Sequence, residues 1–217
     1  MNHAINISEC SVSSQVPSRR KSTTAWIRRV LVALAVVSAT NAHAHSGAGA
    51  VGGFVSGFTH PLLGADHIVA MVAVGLWGAF LGRNAAWLLP VIFPAVMAFG
   101  GALGVLGVPV PAIETGIAVS GIVLGGAVLF ASKPPLWVAG LIVGIFAIFH
   151  GHAHGTELPE SASPLTYSMG FVIATGLLHL AGIGLGELSR WPWGTVAVRA
   201  GGGVIACVGL GFLLHVF

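Results

Sequence analysis

Two histidines and an aspartate stand close together at the start of a strongly apolar stretch. The segment reads His60-Pro61-Leu62-Leu63-Gly64-Ala65-Asp66-His67, and residues 68–81 after it carry no charged side chain. Ionisable groups at membrane depth are costly unless they are paired or bound to a ligand. Imidazole suits nickel, zinc, copper and iron, and a carboxylate adds negative charge, so these residue types predict a transition-metal site. An ordinary helix start would explain Pro61 and Asp66, but not the two histidines.

The spacing of this motif requires a break in the chain if its members are to meet. A residue before proline is driven away from helical conformation, so we expect the helix to begin at Pro61 or one residue later. In an unbroken helix, His60 and His67 would lie about 10 Å apart along the axis, too far to share one ion. The break is therefore expected to fold His60 back toward Asp66 and His67. Met71 shares a helix face with His67 and is an additional candidate ligand.

A second group of histidines ends a later apolar segment, as His150-Gly151-His152-Ala153-His154. In a helix, His150 and His154 would share a face, whereas in an extended segment all three imidazoles would. Either form can chelate a metal, and the alternative is a hydrated polar loop. We expect this group to load metal from outside and to be less essential than the first motif. His179, inside another apolar segment, is either a further metal ligand or a hydrogen bond between helices.

The composition is that of a membrane protein that passes the bilayer several times. The chain has 217 residues, of which 55% are hydrophobic and 7% are charged. We predict an all-α, polytopic membrane helix bundle with six transmembrane helices, because each apolar segment has about the 20 residues that span a bilayer. Residues 45–59 are too short to span and predict a half-helix before the first of them. The predicted spans are Leu62–Leu81, Ala85–Leu106, Ala112–Ala131, Leu136–His154, Leu165–Leu185 and Thr195–Phe217.

The amino terminus has the three parts of a secretory signal peptide. Five basic residues up to Arg29 precede the apolar run 30–37, and a small-x-small site, Ala42-His43-Ala44, follows it. We expect cleavage after Ala44, which divides the chain into a signal peptide, 1–44, and a six-helix transmembrane domain, 45–217. The alternative is an uncleaved membrane anchor. Cleavage would make His45 the first residue, where its α-amine and imidazole together form an additional candidate metal site.

Basic residues in the loops predict the orientation of the bundle. Arg83, Lys133 and the pair Arg190 and Arg199 fall in loops one, three and five, whereas loops two and four hold no Lys or Arg. The positive-inside rule makes the odd loops cytoplasmic and leaves both mature termini on the outer, periplasmic side of a bacterial inner membrane. Glu114, Glu157 and Glu160, in the even loops, are individually uninformative. Nothing in the sequence indicates nucleic acid, and the two cysteines form no disulfide framework.

Three motifs are considered together: Gly57-Phe58-Thr59-His60-Pro61 with Gly64, Asp66-His67, Met71 and Val74-Gly75-Leu76-Trp77; Phe149-His150-Gly151-His152-Ala153-His154-Gly155; and Ser168-Met169-Gly170-Phe171 with Ala174-Thr175 and His179. Together they resemble the signature of the HupE/UreJ family of nickel permeases. The resemblance implies a secondary transporter of the cytoplasmic membrane that imports Ni²⁺, sometimes Co²⁺, often for hydrogenase or urease. It implies that His60, Asp66 and His67 select the metal. Larger nickel/cobalt transporters have a related His-x4-Asp-His motif, whereas the spacing here is His-x5-Asp-His.

We therefore expect a divalent-metal permease rather than an enzyme, with no permanently bound cofactor. The sequence leaves homo-oligomer formation open. It also leaves three alternatives: a membrane metalloenzyme, a haem-binding electron carrier and a metal-binding accessory subunit without transport. No HExxH motif supports the enzyme.

Overall fold

Helices make up all the regular structure in the part of the chain that the computed structural model describes, residues 50–158 and 163–216. The predicted all-α class is thus confirmed for these residues. The predicted signal peptide, its cleavage site and His45 lie outside them. A 3-10 helix, Glu187–Arg190, joins the last two α-helices. The α-helices are α1 (Ala50–Leu63), α2 (Ala65–Leu81), α3 (Arg83–Val105), α4 (Ile113–Leu129), α5 (Leu136–Thr156), α6 (Pro164–Gly186) and α7 (Pro192–Leu213).

Four of the described helices, α3, α5, α6 and α7, are long and apolar enough to cross a membrane. Helices α1 and α2 pass the same criterion together, but they bend by 78° at the break between them and form either a broken span or a re-entrant loop. Helix α4 is apolar but has only 17 residues. Length and composition therefore give four or five spans for a multi-pass membrane protein. The predicted count of six remains a prediction.

The break between α1 and α2 is at Gly64, so the prediction that a helix begins at Pro61 is wrong. Helix α1 continues through Pro61 to Leu63, and Gly64 adopts extended backbone angles, φ −84° and ψ 115°. Proline inside a helix costs a hydrogen bond, but α1 packs so closely on α6 that a methyl group at Gly170 would lie 2.8 Å from the Phe58 nitrogen. This packing keeps the helix intact at the proline, and the chain leaves it at a glycine.

Helix α2 lies at the centre of the bundle. It contacts α1, α3, α4, α6 and α7, and eight of its residues between Ala70 and Gly78 are buried. Its contact with α6 is very close, because a methyl group added at Gly75 would lie 2.9 Å from the Cα of Gly182. Small residues at such crossings let helix backbones approach in lipid, where packing replaces the hydrophobic effect as the driving force. The central helix therefore fixes the position of the motif at its start.

Two further helix pairs pack around α2 through glycines. Helix α3 lies against α5, where a methyl group at Gly104 would lie 3.0 Å from the Cα of Gly155. Helix α4 lies against α7, where a methyl group at Gly121 would lie 3.1 Å from the Cα of Gly209. The α3–α5 contact is close to the carboxyl end of α5, so it holds the second histidine group in place.

Basic side chains gather at the end of α4. Arg199 was expected in a loop, but it lies within α7, and its Nε donates a hydrogen bond of 2.7 Å to the Leu129 carbonyl. Lys133, in the loop after α4, lies over the ring of Phe80 at 5.6 Å. Arg199 thus reaches the bundle end that carries Lys133. That is the pattern expected of a cytoplasmic end, and the orientation stays a prediction.

Candidate metal centre

Three histidines from three different helices converge on one point. His60 of α1, His67 of α2 and His154 of α5 each offer a ring nitrogen, and these nitrogens all lie within 4.8 Å of one another. The Nε2 atoms of His67 and His154 are 2.9 Å apart. The ring of His60 stands edge-on to the other two, with centroid distances of 4.9 Å to His154 and 5.6 Å to His67. We call these residues the three-histidine centre.

The separations within the three-histidine centre suit one metal ion. Imidazole nitrogens bind a transition metal at about 2.1 Å, so two of them at a right angle on one ion lie about 3 Å apart. The Nε2 atoms of His67 and His154, 2.9 Å apart, match this separation. His60 is the third ligand. The bend at Gly64 turns it back toward His67, as the spacing of the motif requires.

Asp66 supports the three-histidine centre through His67. Its Oδ1 lies 2.8 Å from His67 Nδ1, so the Nδ1–H of a neutral ring donates to the carboxylate and the Nε2 lone pair is directed to the centre. A carboxylate behind an imidazole fixes its tautomer and orientation and raises its basicity as a ligand. Asp66 was predicted as part of the metal site, and the structure brings it to the ligand rather than among the converging nitrogens.

Glu157 is a residue of this site that the sequence analysis missed. Its Oε2 lies 3.8 Å from Nε2 of His60, and about half of its side chain is exposed. A signal for it was present, because Glu157 follows His154 by three residues at the end of α5 and so shares its helix face. The site thus has one carboxylate beside His67 and another beside His60.

Helix α5 divides the second histidine group between two faces. His150, one turn inward from His154, has its ring centroid 5.5 Å from that of His67. Its Nδ1 donates to the Phe146 carbonyl at 3.0 Å, and its buried Nε2 has no partner among the described residues. His152 is directed elsewhere, since its Nε2 donates to the Val108 carbonyl at 2.8 Å, in the connection between α3 and α4. The segment is helical, so only His150 and His154 share the face of the centre.

Two other predicted ligands lie deeper in the bundle. Met71 is fully buried one turn inward from His67. His179 of α6 is 1% exposed, and its ring lies 5.5 Å from that of Phe93. Neither belongs to the three-histidine centre.

Aromatic rings and two cavities border the centre. The ring of Phe171 lies 4.3 Å from that of His154, and Tyr167 lies 6.2 Å from His60. A largely apolar cleft of about 450 Å³ between α3, α5 and α6 reaches His154. A smaller cavity of about 230 Å³ reaches Asp66 and is also lined by Glu114 and His215, near the ends of α4 and α7. Two of the three histidines are therefore buried, and a cavity with two carboxylates on its wall reaches Asp66 beside them.

Comparisons with known proteins agree with the motifs. The family described as HupE / UreJ protein matches residues 32–212. The chain is also 46% identical over 188 residues to Protein HupE of Rhizobium leguminosarum bv. viciae, an alignment that covers 87% of this chain and 97% of that protein. No solved structure matches the chain. The chain therefore belongs to the HupE/UreJ family.

Proposed function

We propose that this protein is a secondary transporter that carries a divalent transition-metal ion, Ni²⁺ first and Co²⁺ second, inward across the cytoplasmic membrane. The observation that carries the proposal is the convergence of His60, His67 and His154 from three helices of a membrane bundle. Three imidazoles at ion-sized separations, two buried and that of His60 partly exposed, are the ligand set expected for such an ion. One carboxylate hydrogen-bonds His67, and another lies 3.8 Å from His60.

The ligands of the three-histidine centre suit transport because they can bind the metal ion and also release it. Imidazole binds Ni²⁺ and Co²⁺ well, and the centre has no thiolate, which would hold a soft metal more tightly. Negative charge nearby stabilises a bound cation in an apolar bundle, and Asp66 and Glu157 supply it at the centre. Binding that is firm enough to admit the ion and weak enough to let it leave is the requirement for passage.

The cavity beside Asp66 is the proposed approach from the outer side. Glu114 on its wall attracts cations, and Asp66 connects it to His67. An inward-negative membrane potential contributes about 2.3 kcal/mol per charge per 100 mV, and twice that for a divalent ion. That contribution is enough to drive uptake without a nucleotide, with the mature termini on the periplasmic side. By family resemblance, we propose that the imported metal serves nickel enzymes such as hydrogenase or urease.

Uptake of radioactive Ni²⁺ into proteoliposomes that contain the purified protein tests the proposal. We expect wild-type vesicles with an inward-negative potential to accumulate Ni²⁺, and His67→Ala and Asp66→Ala vesicles to lose most of this uptake. His152→Ala is the matched control, since His152 faces away from the centre. Vesicles whose uptake does not exceed that of protein-free vesicles would contradict the proposal. Ni²⁺ binding without uptake would instead favour an accessory role, and a Soret band would favour a haem carrier.

A further inference from the structure

His179 of α6 is a buried imidazole that the described hydrogen bonds of the bundle do not include. Both of its ring nitrogens are enclosed, and neither has a hydrogen-bond partner among the described residues. Its backbone packs closely on α2, because a methyl group added at Gly75 would meet the His179 carbonyl. Gly75 follows His67 by eight residues, so this level is about 12 Å further along α2 than the three-histidine centre. His179 therefore lies deep in the bundle, where α6 crosses α2 closely.

The hydroxyl of Thr175 lies on the same face of α6, one turn nearer the centre. Thr175 is fully buried, and its Oγ1 also has no partner in the described part of the chain. A hydroxyl in a helix ordinarily donates to the carbonyl three or four residues earlier. The hydroxyl of Thr175 does not donate in this way. Four other helix hydroxyls do, those of Thr59, Ser120, Thr156 and Thr195.

These unpartnered groups are costly where they lie. A buried polar group without a hydrogen bond costs about 1–3 kcal/mol, and here an imidazole and a hydroxyl are in this state together. Leucine and valine would fill similar space without the cost. Two neighbouring positions of one helix face thus carry buried polar atoms without hydrogen bonds. This indicates a polar ligand that occupies the site for part of the time.

A series of side-chain rings in contact connects His179 to the three-histidine centre. The ring of His150 lies 5.5 Å from that of His67 and also 5.5 Å from that of Phe93. Phe93, fully buried in α3, lies in turn 5.5 Å from His179. The unpartnered Nε2 of His150 is thus separated from the unpartnered nitrogens of His179 by one apolar ring.

We infer that His179 and Thr175 form an inner binding station for the same divalent metal ion, reached from the three-histidine centre past Phe93. This inference rests on the proposed transport function. The imidazole supplies a nitrogen ligand and the hydroxyl an oxygen ligand. Neither has a carboxylate behind it in the described structure, so the inner station binds the ion more weakly than the centre and favours onward movement.

Four variants test the inner station: Thr175→Val, Thr175→Ser, His179→Leu and, as a matched buried hydroxyl in α4, Ser120→Ala. Each is purified and checked for folding by thermal unfolding. Radioactive Ni²⁺ uptake into proteoliposomes and the Kd for Ni²⁺ in detergent are then measured. We expect Thr175→Val and His179→Leu to slow uptake by about tenfold or more with an unchanged Kd at the tightest site. Thr175→Ser, which keeps the hydroxyl, and Ser120→Ala should transport as wild type.

The same experiment separates failure of the inner station from failure of transport. If His67→Ala loses uptake while Thr175→Val and His179→Leu keep the wild-type rate, the inner station is wrong and the proposed function stands. If Thr175→Ser is as slow as Thr175→Val, the hydroxyl is not the active group and the inner station is also wrong. If His67→Ala keeps the wild-type rate, the proposed function itself fails. Where His179→Leu does not fold, the comparison of the valine and serine variants decides alone.

Discussion

Helix α5 carries the same residue on two faces with two different structural roles. His154 converges with His60 and His67, whereas His152 hydrogen-bonds the Val108 carbonyl. The two histidines are two residues apart and both are buried. Helical geometry places them about 200° apart around the axis, so one faces the central helix α2 and the other the connection between α3 and α4. Residue type alone therefore does not identify the ligands, and the face of the helix does.

The largest contrast between the two faces is expected for alanine substitutions. His154→Ala removes one of three converging ligands, so we expect Ni²⁺ binding and uptake to be lost at scarce and abundant metal alike. His152→Ala should leave the Kd for Ni²⁺ unchanged. Equilibrium dialysis of the purified variants measures Ni²⁺ binding, and proteoliposome assays at low and high Ni²⁺ measure uptake. A His154→Ala protein that recovers full uptake at high Ni²⁺ would show that His154 only loads the site.

The support that Asp66 gives to His67 is the next largest effect. Asp66→Asn keeps the size of the side chain but removes the charge that orients His67 and strengthens it as a ligand. We expect the Kd for Ni²⁺ to rise about tenfold to hundredfold, the usual effect of losing a carboxylate behind a metal-binding imidazole. Glu114→Gln is the control, since Glu114 lines the same cavity as Asp66, whereas Asp66 hydrogen-bonds His67. Equal effects of the two variants would mean that Asp66 acts only through general electrostatics.

Substitution of His152, on the other face of α5, should change the stability of the protein rather than its metal binding. His152→Ala removes the hydrogen bond to the Val108 carbonyl, so we expect the free energy of unfolding to fall by about 1 kcal/mol. Thermal unfolding in detergent, without metal, measures the change. His152→Gln retains a donor and should recover part of the loss. A His152→Ala protein of wild-type stability that binds Ni²⁺ poorly would reverse the assignment of the two faces.

The smallest effect is expected at the exposed edge of the centre. Glu157 lies 3.8 Å from His60 and is half exposed, so its attraction for a cation is weakened by water and salt. We expect Glu157→Gln to raise the Ni²⁺ concentration for half-maximal uptake by a few fold at low salt and less at high salt. Uptake assays at two ionic strengths test this. An effect that does not change with salt would place Glu157 among the ligands.

The sequence predicted the central motif because its chemistry is unusual for its surroundings. Histidines and an aspartate beside an uncharged stretch indicated a buried metal site, and the distance between His60 and His67 required a bend. The position of the bend was not predictable from local rules. Proline at 61 suggested a helix start, but close packing of α1 on α6 keeps that turn helical, and the chain bends at Gly64 instead.

The composition of the centre was only partly predictable, because it depends on how helices meet. Spacing within α5 left open whether two or three of its histidines share a face, and the helical conformation decides this. The pattern within α5 shows that Glu157 shares a face with His154, but its contact with His60 of α1 depends on the tertiary structure. Thr175 is notable because its Oγ1 has no hydrogen-bond partner among the residues that the structure describes, and such a feature is visible only in three dimensions.

X-ray absorption at the nickel edge tests the central claim most directly. The purified protein, loaded with less than one Ni²⁺ per chain, should show nickel bound by three imidazoles, those of His60, His67 and His154. His154→Ala should show fewer imidazoles, and His152→Ala should give the wild-type spectrum. Nickel surrounded only by water and carboxylate oxygens, or a spectrum that His152→Ala changes and His154→Ala does not, would contradict the assignment of the three-histidine centre as the metal site.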